Sequence, residues 1–260
     1  RGLARRGGQG RAGRPALVDL QPFYAVLHDV PLVSISNSQR RPLPFANWVD
    51  TVYHGLPRSL LRPGGGEDGY LAFLGRISPE KRPDRAIEIA ARAGLPLKIA
   101  AKVDAADREY WQQKIEPLVR EHGNVEFVGE VNERQKGEFL RRALAVLFPI
   151  DWPEPFGLVM IEAMACGTPV VAFRCGSVPE VIDDGVSGFI VDTVDAAVAA
   201  VERVGELDRA KVRHCFERRF VADRMARDYV EVYRRLAGIE PASLLPVAVE
   251  GGDLRVGALA

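Results

Sequence analysis

AVLFPIDWPEPFGLVMIEAMACGTPVVAF, residues 145–173, is the stretch from which the rest of the chain can be read. Its first run, 145–149, is short, apolar throughout and closed by a Pro-rich loop, as a buried strand is. The run at 158–166 is opened by Gly157 and Leu158, is longer than a buried strand, and predicts a helix. A second short apolar run follows at 169–173. Two strands without polar alternation, joined through a helix, make a parallel pair with both faces covered.

The same alternation extends in both directions. Strands are expected at 32–36, 51–54, 70–75, 96–101, 125–128 and 188–191. Helices are expected at 83–93, 108–121, 133–143, 194–204, 209–219 and 222–236. The fold class is therefore α/β, a Rossmann-like doubly wound parallel sheet, whose ligands bind beyond the carboxyl ends of the strands. In the last helix Met225, Tyr229, Val232 and Leu236 recur at helical spacing and are expected to pack into the core.

Two places carry chemistry. GRISPEK, 75–81, follows the strand 70–75. Gly75 is expected to permit a tight exit from that strand. Ser78 and Pro79 resemble a cap followed by proline in a first helical turn. Arg76 and Lys81 would then stand at a helix N-terminus on the sheet's carboxyl edge, able to neutralise a diphosphate. The alternative reading of these residues is two solvated surface cations.

The second place is the loop and helix at 151–166. The free N–H groups of Gly157 and Leu158 suit a phosphate or sugar oxygen. Glu162, just over one turn into the helix, can accept both hydroxyls of a ribose. Glu154, on the loop, can meet sugar hydroxyls. Either glutamate could instead be a plain surface charge. For Glu162 that alternative is weaker, because Ile161, Ala163, Met164 and Ala165 surround it and a charge in such company requires a partner.

Glu154 and Glu162 form an E-x7-E pattern within EPFGLVMIEAMACGTPVVA, which resembles the signature of retaining family 4 glycosyltransferases of the GT-B fold. Four further blocks match in order: FLGRISPEK, NVEFVGEV, CGSVPEVIDDGVSGFIV and RRFVADRMARDYVEVYRRL. The likeness covers roughly residues 30–236. It implies that Arg76 and Lys81 hold the donor diphosphate and that Glu162 binds the ribose. Glu154 and the backbone of Phe156, Gly157 and Leu158 would meet the transferred sugar and phosphates. Gly129, Glu130 and Val131 would lie near the base. Members of this family typically use no metal, in keeping with the absence of a DxD triplet or a His cluster here. The function implied is transfer of a sugar from a nucleotide-diphosphate sugar, with retention, to a glycan, lipid or small-molecule acceptor. A non-catalytic nucleotide-sugar-binding module and a sugar-nucleotide epimerase are the alternatives. Where relatives often carry Gly-Gly before Pro-Glu, this chain has Cys175-Gly176-Ser177-Val178-Pro179-Glu180. Gly176 still allows a turn.

The resemblance also implies an acceptor-binding N-terminal domain, of which the sequence holds only the end. The expected organisation is an Arg/Gly-rich segment at 1–29 and a remnant of that domain with its linker at 30–56. The donor domain follows at 57–220, a closing helix at 221–236 and a loose tail at 237–260. Of the first fourteen residues ten are Arg or Gly, and the first methionine is Met160. Such a segment cannot bury a core. Without interleaved aromatics it is not read as a nucleic-acid tail. It is read as the product of a junction or another frame in a truncated gene. Any membrane contact would run through the missing domain.

Composition is compatible with all of this. The 260 residues are 47% hydrophobic and 27% charged, with 35 basic and 35 acidic side chains. Zero net charge gives no long-range attraction to nucleic acid or membrane. Three widely spaced cysteines, Cys166, Cys175 and Cys215, form neither a disulfide framework nor a metal motif, and imply a reducing cytoplasm.

Overall fold

The computed structural model describes residues 20–239. A short helix α1 (Gln21–Val26) precedes a small parallel pair, β1 (Leu32–Ser34) and β2 (Trp48–Thr51), linked through the four-residue helix α2 (Asn37–Arg40). The main body then runs β3 (Leu71–Arg76), α3 (Pro83–Ala93) and β4 (Leu97–Lys102). Next come α4 (Arg108–Tyr110), α5 (Glu116–Glu121), β5 (Val125–Gly129), α6 (Glu133–Arg142) and β6 (Ala145–Phe148). It continues through α7 (Leu158–Ala165), β7 (Val170–Phe173), α8 (Val178–Val181), β8 (Gly188–Val191), α9 (Val194–Arg203) and α10 (Arg209–Arg219), and closes on α11 (Ala222–Leu236).

The large sheet has six parallel strands in the order β5-β4-β3-β6-β7-β8. From β3 the chain winds outward to β4 and β5, then returns to β6 and winds the other way. The reversal lies between β3 and β6, the position at which open α/β sheets leave a crevice at their carboxyl edge. Alternate residues of each strand point to opposite faces. Accordingly Leu71, Phe73, Ala145, Leu147, Val171 and Phe173 pack with α3 and α9 on one face. Ala72, Val146, Phe148, Val170 and Ala172 pack with α6, α7 and α10 on the other. No helix among the described residues is long and apolar enough to cross a membrane.

Most elements lie within two residues of their sequence-based bounds, and three differences have physical causes. The helix expected over 108–121 is interrupted by a π turn, Trp111–Ile115, just ahead of Pro117, which has no N–H to continue an α ladder. The last helix buries only Val232 of its apolar stripe, while Leu236 is half exposed. It lies along the 50–56 segment, where Arg224 donates to the carbonyls of Tyr53 and His54. Its far side has no described neighbour. Finally, α1 falls inside the segment expected to lack structure. Pro22 sits in its first turn and the Gln21 Nε2 donates to Pro42 O at 2.8 Å. The Arg/Gly-rich start and the tail beyond residue 239 lie outside the described residues.

Candidate active site

The two stretches singled out in the sequence leave adjacent strands at the switch point. GRISPEK exits β3, and the loop carrying Glu154 exits β6. They are fastened to each other. The Asp151 N–H donates to Glu80 O at 2.9 Å, and Arg82 Nη1 meets Asp151 Oδ2 at 3.1 Å. Arg85 donates to the carbonyls of Pro149 and Ile150 with its guanidinium 4.4 Å from the Phe173 ring centroid.

Locally, GRISPEK differs from its sequence reading. Gly75 stays inside β3, outside the left-handed region, and a Cβ there would meet only Phe73 Cε1 at 3.9 Å. The turn is made further on, by Arg82 at φ 53°, the only non-glycine residue with positive φ among those described. Ser78 does not cap α3. It precedes a single 3-10 turn, Pro79–Lys81, and its buried Oγ has no hydrogen-bond partner. The α3 N-terminus is at Pro83, so neither Arg76 nor Lys81 lies in its first turn.

What the structure does bring together is Lys81 and Glu154. The Lys81 Nζ donates to Glu154 Oε2, and the Trp152 Nε1–H donates to the same oxygen at 3.0 Å. The ammonium also lies 5.2 Å from the Trp152 ring centroid and 5.7 Å from that of Phe148. Both charged groups are largely buried, at 18% and 12% side-chain exposure, so each depends on the other to avoid an unpaired buried charge. Arg76 stands apart from this pair. Its half-exposed guanidinium lies 3.5 Å from Glu80 and 3.6 Å from Asp104.

Beside Glu154, Gly157 takes φ 77° at the N-cap of α7. Backbone in that region strongly favours glycine. The N–H groups of Gly157 and Leu158 meet no acceptor among the described residues. The helix dipole makes this end attractive to an anion. Phe156 anchors the loop. Its ring is buried between Tyr53, His54 and Phe220, and its carbonyl accepts from Ser177 Oγ at 2.9 Å. Gly176 has a second duty that a turn alone would not reveal. At φ 58°, a Cβ would stand 2.3 Å from both N and O of Glu154. The Ser177 N–H then donates to Glu154 O at 2.9 Å.

Glu162 has the partner that its apolar surroundings demand. Lys136 Nζ, from α6, donates to Glu162 Oε1 at 2.7 Å and also reaches Glu133 at 2.7 Å. Burial would lower the lysine pKa, but the hydrogen bonds it donates to Glu133 and Glu162 outweigh it and hold it above its ordinary value. Sequence reasoning did not single out Lys136. Its only local signal is an i,i+3 spacing from Glu133 in an otherwise polar helix. Gly129, in the left-handed region, ends β5, and Glu130 and Val131 follow it at the same edge of the sheet, one strand beyond β4. Glu130 is exposed and Val131 packs against the core.

Comparison with known proteins gives the family of the chain and the solved structures that share its fold. Residues 63–218 match the family model described as glycosyl transferases group 1. Similar curated proteins include a D-inositol 3-phosphate glycosyltransferase of Mycolicibacterium smegmatis, 33% identical over 63% of this chain and 39% of its own length. The enzyme of the same name from Segniliparus rotundus is 31% identical over 78% of this chain and 50% of its own. The chain thus spans about two fifths to half of these relatives. Among solved structures, AviGT4, a glycosyltransferase involved in avilamycin A biosynthesis, is 26% identical with a TM-score of 0.66, covering 79% of this chain and 64% of that one. Anabaena Alr3699/HepE, solved with UDP and glucose, shares the fold at 16% identity and a TM-score of 0.72, over 84% of this chain and 67% of that one.

Proposed function

The chain belongs to the glycosyl transferases group 1 family, and from that premise we propose that its carboxyl-edge crevice binds a nucleotide-diphosphate sugar for transfer to an acceptor with retention of configuration. The observation that carries this reading is the Lys81–Glu154 contact across the β3/β6 switch point, beside the unpaired N–H groups that open α7. A departing nucleotide diphosphate gathers negative charge, which a buried ammonium and a helix N-terminus are suited to stabilise. Preorganised donors of this kind contribute on the order of 10² to 10³ in rate each. Arg76 is held only by half-exposed pairs, which contribute about 0–1 kcal/mol, and can turn to a phosphate at little cost.

Glu154, fixed by Lys81, Trp152 and Gly176, orients the transferred sugar. Glu162 keeps one oxygen on Lys136 and offers the other to the ribose. Glu130, Val131 and the Gly129 turn border the base. No metal is assigned a part, the acceptor is a hydroxyl of a glycan, lipid or small molecule, and the location is cytoplasmic.

A thermal-shift series with UDP-, GDP- and ADP-sugars tests the donor claim. A ligand at 100 times its Kd stabilises by about 2.7 kcal/mol, roughly 5–11 °C for a chain of this size. One base should shift the protein strongly, and the shift should vanish in Glu162→Ala. Absence of a shift with every nucleotide would sink the reading. Glu154→Gln should keep nucleotide affinity within about threefold and lose turnover of a labelled donor, whose product anomer reports retention. Loss of affinity instead would move Glu154 to the diphosphate.

A further inference from the structure

Glu180 lies outside the donor contacts, yet its carboxylate is among the best-satisfied groups in the molecule. Its Oε1 accepts from the Ser38 N–H at 2.7 Å. Its Oε2 accepts from the Asn37 N–H at 2.7 Å, from Asn37 Nδ2 at 3.1 Å and from the Tyr53 hydroxyl at 3.2 Å. Asn37 and Ser38 are 143 and 142 residues away in sequence. They are the first two residues of α2, whose leading N–H groups have no partner within the helix. The third, on Gln39, is taken by Ser36 Oγ at 3.0 Å. A four-residue helix cannot sustain itself, because nucleation fixes several residues for one hydrogen bond. A carboxylate at its positive end supplies what the helix lacks.

The other side of this contact leads to the donor loops. Ser36 Oγ, which caps α2, donates to Pro155 O at 2.5 Å, next to Glu154. The α8 turn that carries Glu180 begins just after Ser177, which donates to both Glu154 O and Phe156 O. Arg219 holds α8 from below through the carbonyls of Glu180 and Val181 and the carboxylate of Asp183. Burial, and then the neighbouring Glu180 charge, raise the Tyr53 phenol above its ordinary value.

We infer that Glu180 is a positioning residue: its carboxylate builds α2 from a distance and seats it on the Glu154 loop, so that the β1–α2 segment forms one wall of the site. The inference rests on the donor-site reading for the importance of Glu154, and on geometry alone for the pinning itself.

Amide hydrogen exchange on the full 260-residue chain tests it without any ligand. In Glu180→Ala the amides of Asn37, Ser38 and Gln39 should exchange at least tenfold faster. Protection in β3 and β6 should stay unchanged. Glu180→Gln makes a sharper demand. Its single oxygen should take the Oε2 place, where three donors converge, turning the NH2 towards the Ser38 N–H. Ser38 should then be released while Asn37 stays protected. Unchanged exchange at Asn37 and Ser38 in Glu180→Ala would overturn the inference. So would equal acceleration across the whole sheet, which marks a general structural role. UDP affinity, measured in parallel, should remain within twofold. Should no nucleotide bind the wild-type chain, the donor reading fails while the exchange result still decides the pinning.

Discussion

Replacing Lys136 by methionine keeps its length and apolar stem but strands the Glu162 carboxylate. Side-chain exposure is 16% for the lysine and 11% for the glutamate. Removing one partner of a buried pair costs about 3–5 kcal/mol, because the other charge is left unpaired. Both groups keep some contact with solvent, so the lower end applies, about 3 kcal/mol. At about 2–4 °C per kcal/mol for a chain of this size, Tm should fall by roughly 6–12 °C. The double variant Lys136→Met/Glu162→Gln removes the charge as well as its partner. It should lie within about 1 kcal/mol of wild type, giving a coupling of about 2 kcal/mol. The stranded carboxylate in Lys136→Met favours its protonated form. The folded state then binds the proton more tightly than the unfolded chain, so the deficit against wild type should shrink as pH is lowered from 8 to 5. In wild type the Lys136 pKa is raised above its ordinary 10.5. Its contribution is therefore complete below that pH and is lost as pH rises through the folded value. Thermal denaturation of wild type, Lys136→Met, Glu162→Gln and the double variant across pH measures all of this. A loss under about 2 °C, independent of pH and no smaller in the double variant, would refute the reasoning.

Other perturbations follow from the same geometry. Gly176→Ala should lower stability by at least about 1–2 kcal/mol, the usual cost of a side chain in the left-handed region. It should also reduce the nucleotide-sugar thermal shift, since its Cβ displaces the Glu154 backbone and with it the loop that leads to the Gly157 and Leu158 N–H groups. Arg209 is a half-buried cation that donates to the carbonyls of Gly64, Arg141, Ala143 and Leu144 and to Thr168 Oγ1. Arg209→Leu removes the shared donor from these five acceptors, of which the Arg141 carbonyl keeps the Gly66 N–H at 3.2 Å, and should cost about 3 kcal/mol, read as a fall in the urea midpoint at unchanged slope. Burial pushes the Cys166 thiol up to about 12. At pH 8 a maleimide should therefore label the partly exposed Cys175 and spare Cys166 until the chain is unfolded.

Strands and helices were legible because their signals are local. The runs at 145–149 and 169–173 are buried on both faces and so are apolar without interruption, and the structure keeps them as the neighbours β6 and β7. Glu162 announced that it had a partner, through the apolar residues around it, without announcing which. Gly75 and Ser78 were misread for a related reason. Glycine permits a turn and serine permits a cap, but neither compels one, and here the turn fell to Arg82, whose side chain is held by Asp84 and Asp151.

Determined by the sequence alone were the α/β class, the parallel winding and the two loops that carry Lys81 and Glu154. Each follows from residue patterns a few positions long, set by the period of the backbone. Only the tertiary structure decided which strand ends face one another, that Lys81 spends its charge on Glu154, and that Lys136 and Glu180 act at contacts 26 and 143 residues away in the chain. The Lys81–Glu154 and Lys136–Glu162 pairs form because burial leaves a charge little solvent to turn to. Which partner lies within reach is settled by the packing of the whole chain.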